Sequence, residues 1–253
     1  MCGSEPLLSI TNLRHAYFGR TVLDDIDLSV GIGEVVALVG PSGCGKSTLA
    51  QIAAGLTEPL AGRIRRRYQR HAVVFQEPAL LPWATAGGNI AYPLRLAHVP
   101  RRLRMDHVME TAARVSLSTT DLVKYPIELS GGMRQRVAIA RALAVQPDFV
   151  FFDEPFTALD VALRRRMQDL VIAACRESGL AGLFITHDLQ EAARIAHRIA
   201  VLDTNGHGVL GHRRLSGAPG ERSDGDVQTW VLEAIRTDPI FRHIHDVDER
   251  RLA

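Results

Sequence analysis

The sequence predicts an α/β chain in which a parallel sheet carries helices, a β-rich segment comes first and a helical insertion interrupts the middle. Three observations predict it. Val35-Val36-Ala37-Leu38-Val39 and Phe149-Val150-Phe151-Phe152 are short continuous apolar runs, as expected of strands buried on both faces of a parallel sheet. The first run leads through a glycine-rich turn into a helical segment, Lys46 to Ala54, that Gly55 closes. Between the two runs, from about Ala79 to Val145, the pattern is helical.

Leu7 to Leu13 and Val22 to Val30 read as strands, with Gly31 and Gly33 as turn punctuation. Arg63-Ile64 and Ala72 to Phe75 add two more, joined by the basic stretch Arg65 to His71. Inside the insertion, Arg101 to Val115 is one amphipathic candidate and Gly132 to Ala144 another, ended by Pro147. Val161 to Ser178 places Leu163, Met167, Leu170, Val171 and Ala174 at helical spacing, with Gly179 as a stop. The intervening Arg164-Arg165-Arg166 reads as a solvated face, with nucleic-acid binding as a second reading. The segment from Ser216 holds one amphipathic helix (Val227, Trp230, Val231, Ala234) and stops at Asp238-Pro239. The main domain is expected over 7–215, with the insertion at about 79–145 and a tail over 216–253.

The chain has 253 residues, enough for one large α/β core with an inserted subdomain. A net charge of +2 argues neither for nor against nucleic acid, and the basic residues are almost all arginine, Lys46 and Lys124 being the two lysines. Cys2, Cys44 and Cys175 are too scattered for a disulfide framework or a zinc site, which suits a reducing compartment. Met1 to Pro6 lacks the basic and apolar regions of a signal peptide. No apolar stretch approaches the roughly 20 residues that span a bilayer. The expectation is a cytoplasmic chain whose membrane association runs through a partner.

Gly40-Pro41-Ser42-Gly43-Cys44-Gly45-Lys46-Ser47-Thr48 contains G-x-x-x-x-G-K-[ST], whose glycines let backbone N–H groups turn inward around a phosphate. A strand, a glycine loop and a helix N-terminus together favour an anion. The alternative is a glycine-rich turn without function. Cys44 reads as a small filler or, beside Lys46 and a helix start, as an acidified thiol. Asp153 and Glu154 end an apolar strand, at the sheet edge where open α/β folds place ligands. Strand alternation then sends them to opposite sides, Asp153 towards a magnesium at Ser47 and Glu154 towards an attacking water. Leu129-Ser130-Gly131-Gly132-Met133-Arg134-Gln135-Arg136 opens a second helix on a serine and two glycines, a second anion site.

That octet, between the phosphate loop and the acidic pair, resembles the signature motif of ABC-type ATPases. The resemblance covers nearly the whole chain. It implies a P-loop NTPase core of the RecA-like kind with an N-terminal antiparallel β subdomain and an inserted helical subdomain. It further implies ATP and Mg2+ as ligands and a head-to-tail homodimer. Each ATP would lie between one subunit's phosphate loop and the other's Ser130, Gly131, Gly132 and Gln135. Tyr17 looks like the aromatic that stacks on adenine; Phe18 is the rival, and a core role the alternative. Gln76 resembles the glutamine that touches magnesium, so Ser47, Gln76 and Asp153 are the expected metal contacts. Asp160, in Ala158-Leu159-Asp160, looks like the loop that crosses the dimer interface. Glu154 and His187 are the expected catalytic residues, His187 as the switch histidine at the γ-phosphate. Asp188 with Glu191 reads as a capping pair for the following helix. His243 and His245 lack such context and are expected at the surface.

Phe75-Gln76-Glu77-Pro78-Ala79-Leu80-Leu81-Pro82-Trp83 is similar to the corresponding region of nitrate, aliphatic sulfonate and taurine importers. The resemblance implies an ATP-hydrolysing subunit at the cytoplasmic side of the cell membrane. Its partners would be an integral-membrane permease, indirectly a periplasmic or extracellular solute-binding protein, and no nucleic acid. The stiff loop around Pro82 and Trp83 could receive a permease helix near Gln76 to Asn89 or fold into its own domain as an anchor, and a mixture of both is expected. Ala86-Gly87-Gly88-Asn89 departs from the usual pattern and suggests a flexible spot there. The stretch from Gly62 to Gln76 suggests a shortened hairpin. Competing functions are a soluble ABC ATPase acting on DNA or ribosomes, and a small-molecule P-loop kinase, which would not need the second anion site.

Overall fold

The computed structural model describes residues 5–241; Cys2, His243 and His245 lie outside the described residues. The chain forms two compact units, one built from residues up to 68 together with those from 172 onward, the other from 69–171.

The first unit opens with strands β1 (Leu8–Tyr17) and β2 (Arg20–Val30), strand β3 (Val35–Val39), helix α1 (Lys46–Ala53) and strand β4 (Ala61–Arg66). β2, β1 and β4 form an antiparallel sheet in that order. β1 runs four residues beyond the expected Leu13. It passes an irregularity at Asn12, whose φ of 47° is stabilised by bonds from its amide to Asp27 (2.8 Å) and from its side chain to Asp25 (2.9 Å). Leu13 and His15 both face inward beyond it, a pattern that Arg14 and His15 hide in the sequence.

After the second unit the chain returns as strand β7 (Ala181–Ile185), helix α6 (Leu189–Ile195), strands β8 (Arg198–Leu202) and β9 (Val209–Arg214), and helix α7 (Asp224–Thr237). β3 lies between β7 and β8, parallel to both, and β9 adds an antiparallel edge to β8. Every residue of β3 and β7 is buried, as a two-sided parallel core requires. The tail helix α7 begins on a capping box between Ser223 and Asp226 and packs on α6 through Val227, Val231 and Ala234. Each large apolar side chain so buried contributes roughly 1.5–3 kcal/mol. Arg194 bonds Asp224 at 3.0 Å, and Arg222 covers the Ala193 and Ala196 carbonyls at the end of α6. Trp230 meets Phe241 edge-on at 5.7 Å.

The second unit contains strand β5 (His71–Val74), helices α2 (Ala86–Leu96), α3 (Arg101–Arg114) and α4 (Gly131–Leu143), strand β6 (Phe149–Asp153) and the start of helix α5 (Val161–Ser178). β5 pairs in parallel with β6, and α2, α3 and α4 pack on one another. The expected hairpin between the strands at Arg63 and Ala72 does not form. β4 joins β1, whereas Asp148 captures the Gln69 and Arg70 amides at 2.7 and 2.8 Å and draws the next strand onto β6. Arg164 and Arg165 are half-buried, so the arginine triplet is less solvated than its sequence suggests.

Candidate functional site

Two glycines of the phosphate loop leave no room for a Cβ. A Cβ on Gly40 would stand 2.9 Å from Cys44 Sγ and 3.1 Å from the Leu202 carbonyl. Gly45 has a φ of 103° and would drive a Cβ to 2.8 Å from Leu23. Gly45 also gives α1 no side-chain cap, so its first-turn amides and positive dipole end meet the loop directly. Lys46 is buried, and its ammonium donates to the Gly40 and Pro41 carbonyls at 2.7 and 2.8 Å. The loop therefore carries a cation folded into its own backbone. At the far end Arg66 and Tyr68 cover the Ile52 and Ala53 carbonyls. Cys44 is filler: burial pushes its thiol up and outweighs the nearby Lys46 ammonium, which overturns the acidified reading.

His187 follows β7, and Leu38 pairs with Ile185 across β3 and β7. His187 and Gly40 consequently emerge two residues beyond one rung, at the same carboxyl edge. The Thr186 amide donates to the Leu38 carbonyl at 3.3 Å, and its hydroxyl donates to Glu191 at 2.9 Å. Asp188 caps α6 as expected, but the Glu191 carboxylate takes the Thr186 hydroxyl, so the cap is not the reciprocal kind. Tyr17 ends β1 half-exposed; Phe18, with a φ of 50°, is fully exposed in the turn. Beyond the turn, β2 passes the phosphate loop at Val22 and Leu23, where a Cβ on Gly45 would stand 3.1 Å from the Val22 carbonyl and 2.8 Å from Leu23.

In the second unit Val74 pairs with Phe152, which sets Gln76 and the pair Asp153 and Glu154 at neighbouring strand ends. Asp153 is buried. Glu154 lies beyond the strand with a φ of 44°, so a left-handed turn, not strand alternation, separates the two carboxylates. A non-glycine residue held there stores on the order of 1–3 kcal/mol of strain. Thr157 steadies the turn, its hydroxyl donating to the Glu154 carbonyl at 3.0 Å.

Ser130 caps α4, its hydroxyl accepting from the Met133 amide at 3.2 Å. Gly132 lies against the Ala158 and Leu159 loop, where a Cβ would come within 3.3 Å of the Ala158 carbonyl. The next residue, Asp160, accepts from the Leu163 amide at 2.9 Å and starts α5. Gln135 corrects the expectation of a role on the open end of α4: it is 1% exposed and donates to the Phe75 carbonyl at 3.2 Å. Arg141, which the motif reading missed, donates to the Ala79 and Pro78 carbonyls at 2.8 and 3.0 Å. One helix thus opens at Ser130 and clamps both sides of the Gln76 loop. No spacing in the sequence marks this pair: Gln135 and Arg141 lie six residues apart on α4, outside the three- and four-residue spacing that makes helix neighbours.

Asn89 is fully buried and stitches the following loop. Its amide accepts from Leu81 at 2.8 Å and donates to the Leu81, Ala84 and Thr85 carbonyls. This loop holds Trp83 74% exposed while Leu80 and Leu81 are half-buried, so the leucines anchor the loop and Trp83 does not. The expected flexible spot is also overturned: Gly87 and Gly88 form the first turn of α2 under a Thr85 cap. A Cβ on Gly87 would sit 3.1 Å from the Leu122 carbonyl. Beside them runs a groove of about 890 Å³, lined among others by Gly87, Gly88, Arg95, Arg104, Met105 and Met109.

Residues 23–157 match the family model for the ABC transporter. The chain is 43% identical over 192 residues to the aliphatic sulfonates import ATP-binding protein of Bacillus licheniformis, covering 73% of this chain and 74% of that protein. It is 37% identical over 243 residues to the taurine import ATP-binding protein of Yersinia pestis, covering 93% and 92%. A dimeric ATP-binding cassette in a post-hydrolysis state, bound to ADP and Pi, superposes with a TM-score of 0.78 at 30% identity, over 83% of this chain and 99% of that one. With its phosphate loop, its two strand-end acids and its second open helix start, the chain belongs to the ABC transporter family and is one of its ATPase cassettes.

Proposed function

We propose that the chain is the ATP-hydrolysing subunit of an importer for small oxyanions of the sulfonate, taurine or nitrate kind. The carrying observation is that one chain holds two separate glycine-built helix starts, at Gly45 and at Ser130. Two such anion sites are most simply used by a head-to-tail pair, each ATP gripped by one subunit's phosphate loop and its partner's signature serine and glycines. The dimeric cassette to which the chain is similar supports that pairing. The import proteins among the relatives support transport over action on nucleic acid or ribosomes.

Gly40 to Thr48 would hold the phosphates, Lys46 transferring its donors from loop carbonyls to phosphate oxygens. Tyr17 would carry the base, and Asp160 would approach the partner subunit. Ser47, Gln76 and Asp153 offer hydroxyl, amide and carboxylate oxygens, the hard donors that Mg2+ takes alongside phosphates and water. Magnesium bound there supplies charge neutralisation at the phosphates. Glu154 would orient and deprotonate the attacking water, and His187 would donate to the γ-phosphate. Gln135 and Arg141 position the Gln76 loop from behind.

No helix among the described residues is long and apolar enough to cross a membrane. Work at the cytoplasmic face would run through a permease that docks near Gln76 to Asn89, where Trp83 is exposed and a groove opens beside Gly87 and Gly88. Glu154→Gln tests the core of the reading. Turnover should fall about 10²–10⁴-fold while ATP binding survives. The stalled protein should then pair in ATP, and Ser130→Arg should abolish the pairing. Unchanged hydrolysis in Glu154→Gln overturns the assignment.

A further inference from the structure

His15 is 6% exposed, and neither of its ring nitrogens has a hydrogen-bond partner. A buried polar ring that satisfies no hydrogen bond does not repay its desolvation through its nitrogens. What it does offer is a surface. Its ring meets that of Tyr17 at a centroid distance of 4.6 Å and an interplanar angle of 81°, the edge-to-face arrangement aromatic pairs favour.

The pair sits at a defined place. His15 is opposite Leu23 and Tyr17 opposite Arg20 across β1 and β2. Leu23 is the side chain that a Cβ on Gly45 would strike at 2.8 Å. The rung His15–Leu23 therefore abuts the aromatic on one side and the last glycine of the phosphate loop on the other.

We propose that His15 is a positioning residue for the nucleobase: its ring fixes the plane of Tyr17 before ATP arrives, so that the stacking face stands ready beside the phosphate loop. This rests on the reading of Tyr17 as the base-stacking aromatic. An unsupported tyrosine at a strand end would have to be immobilised on binding, a cost of about 2- to 10-fold in affinity for one side chain. The nitrogens are buried, so His15 acts through Tyr17 and not on the ligand. His15 is not itself part of the phosphate loop, so binding of a phosphate chain without a base should not depend on its ring.

The test is equilibrium binding of ATP and of inorganic tripolyphosphate, which lacks a base, to the full chain and its variants. His15→Leu keeps bulk without an aromatic ring; it should weaken ATP about 2- to 10-fold, leave tripolyphosphate unchanged, and raise KM with kcat within about twofold. His15→Phe restores the ring and should bind ATP within about twofold of wild type. Tyr17→Ala should weaken ATP at least as much, and adding His15→Leu to it should cost nothing further. Full ATP affinity in His15→Leu, loss in His15→Phe equal to that in His15→Leu, additive effects, or a parallel loss of tripolyphosphate each overturn the proposal. If Tyr17→Ala itself binds ATP normally while Phe18→Ala does not, the base platform is Phe18 and the underlying reading fails, a result distinct from a silent His15.

Discussion

The Gln135 side-chain amide donates to the Phe75 carbonyl at 3.2 Å, tying the helix that opens at Ser130 to the residue before Gln76. Through this bond, two segments expected to touch nucleotide on different subunits share one rigid element. Gln135→Leu should leave the part-buried Phe75 carbonyl without this bond and destabilise the chain by about 0.5–1.5 kcal/mol. Thermal melting checks the stability. The more telling measurement is permease-stimulated ATPase, which should fall more than basal ATPase. Equal loss of both would mean that the bond serves only the fold.

Glu154 supports a second expectation, because its φ of 44° is one that glycine adopts without strain. Glu154→Gly should relieve part of that strain, so the protein should melt no lower than Glu154→Ala and should unfold less readily. Hydrolysis should be lost in both. A lower melting temperature for Glu154→Gly than for Glu154→Ala would show that the turn is not strained.

The segments with a repeated physical signature were legible in the sequence. β3 and β6 are five-residue buried strands, as their continuous apolar runs predict, and α5 begins at Val161 and ends at Ser178 as its apolar spacing predicts. The phosphate loop was legible because its glycines are demanded by close approach. What sequence did not reveal are long-range captures by single polar side chains. Asp148 seizing the Gln69 and Arg70 amides, Asn89 stitching the Leu81 loop and Arg141 holding Pro78 and Ala79 leave no periodic trace. The same holds for Glu154, whose left-handed turn cannot be read from residue type.

Acid should weaken the protein in two steps, one in each unit. His197 accepts from the Val35 amide at 3.1 Å, and His212 lies 2.9 Å from Arg198, which also holds Glu34. Burial holds both imidazoles below their ordinary value, and the Arg198 charge adds to this at His212. The unfolded chain therefore binds the more protons near pH 6.5, so the stability is present above that value and is lost as pH falls towards the folded values. Melting temperature should drop between pH 7.5 and 5.5, and His197→Gln with His212→Gln should flatten the slope. In the second unit the Lys124 ammonium and the Ser118 hydroxyl bring the Asp121 carboxyl down to about 2. Its contribution is present above the ordinary carboxylate range and should fade only as pH falls from about 4 to about 2. A slope that stays unchanged in the double histidine variant would place the first step elsewhere.

If the proposed permease docks on the loop around Trp83, a change there should separate the work of the isolated cassette from that of an assembled transporter. It is 74% exposed on a loop that Asn89 pins at three carbonyls, so a charge placed there touches no core. Trp83→Glu should therefore fold, melt within a few degrees of wild type and keep basal ATPase. Against a permease helix the same carboxylate would be desolvated without a partner, at a cost of several kcal/mol. Co-purification with the permease and sulfonate or taurine uptake should then be lost together. Asn89→Ala is the complementary change, since it frees the loop without adding charge and should weaken docking less than Trp83→Glu while lowering stability more. Full uptake by Trp83→Glu cells would move the docking surface away from this loop, and loss of folding would show that Trp83 packs more tightly than its exposure implies.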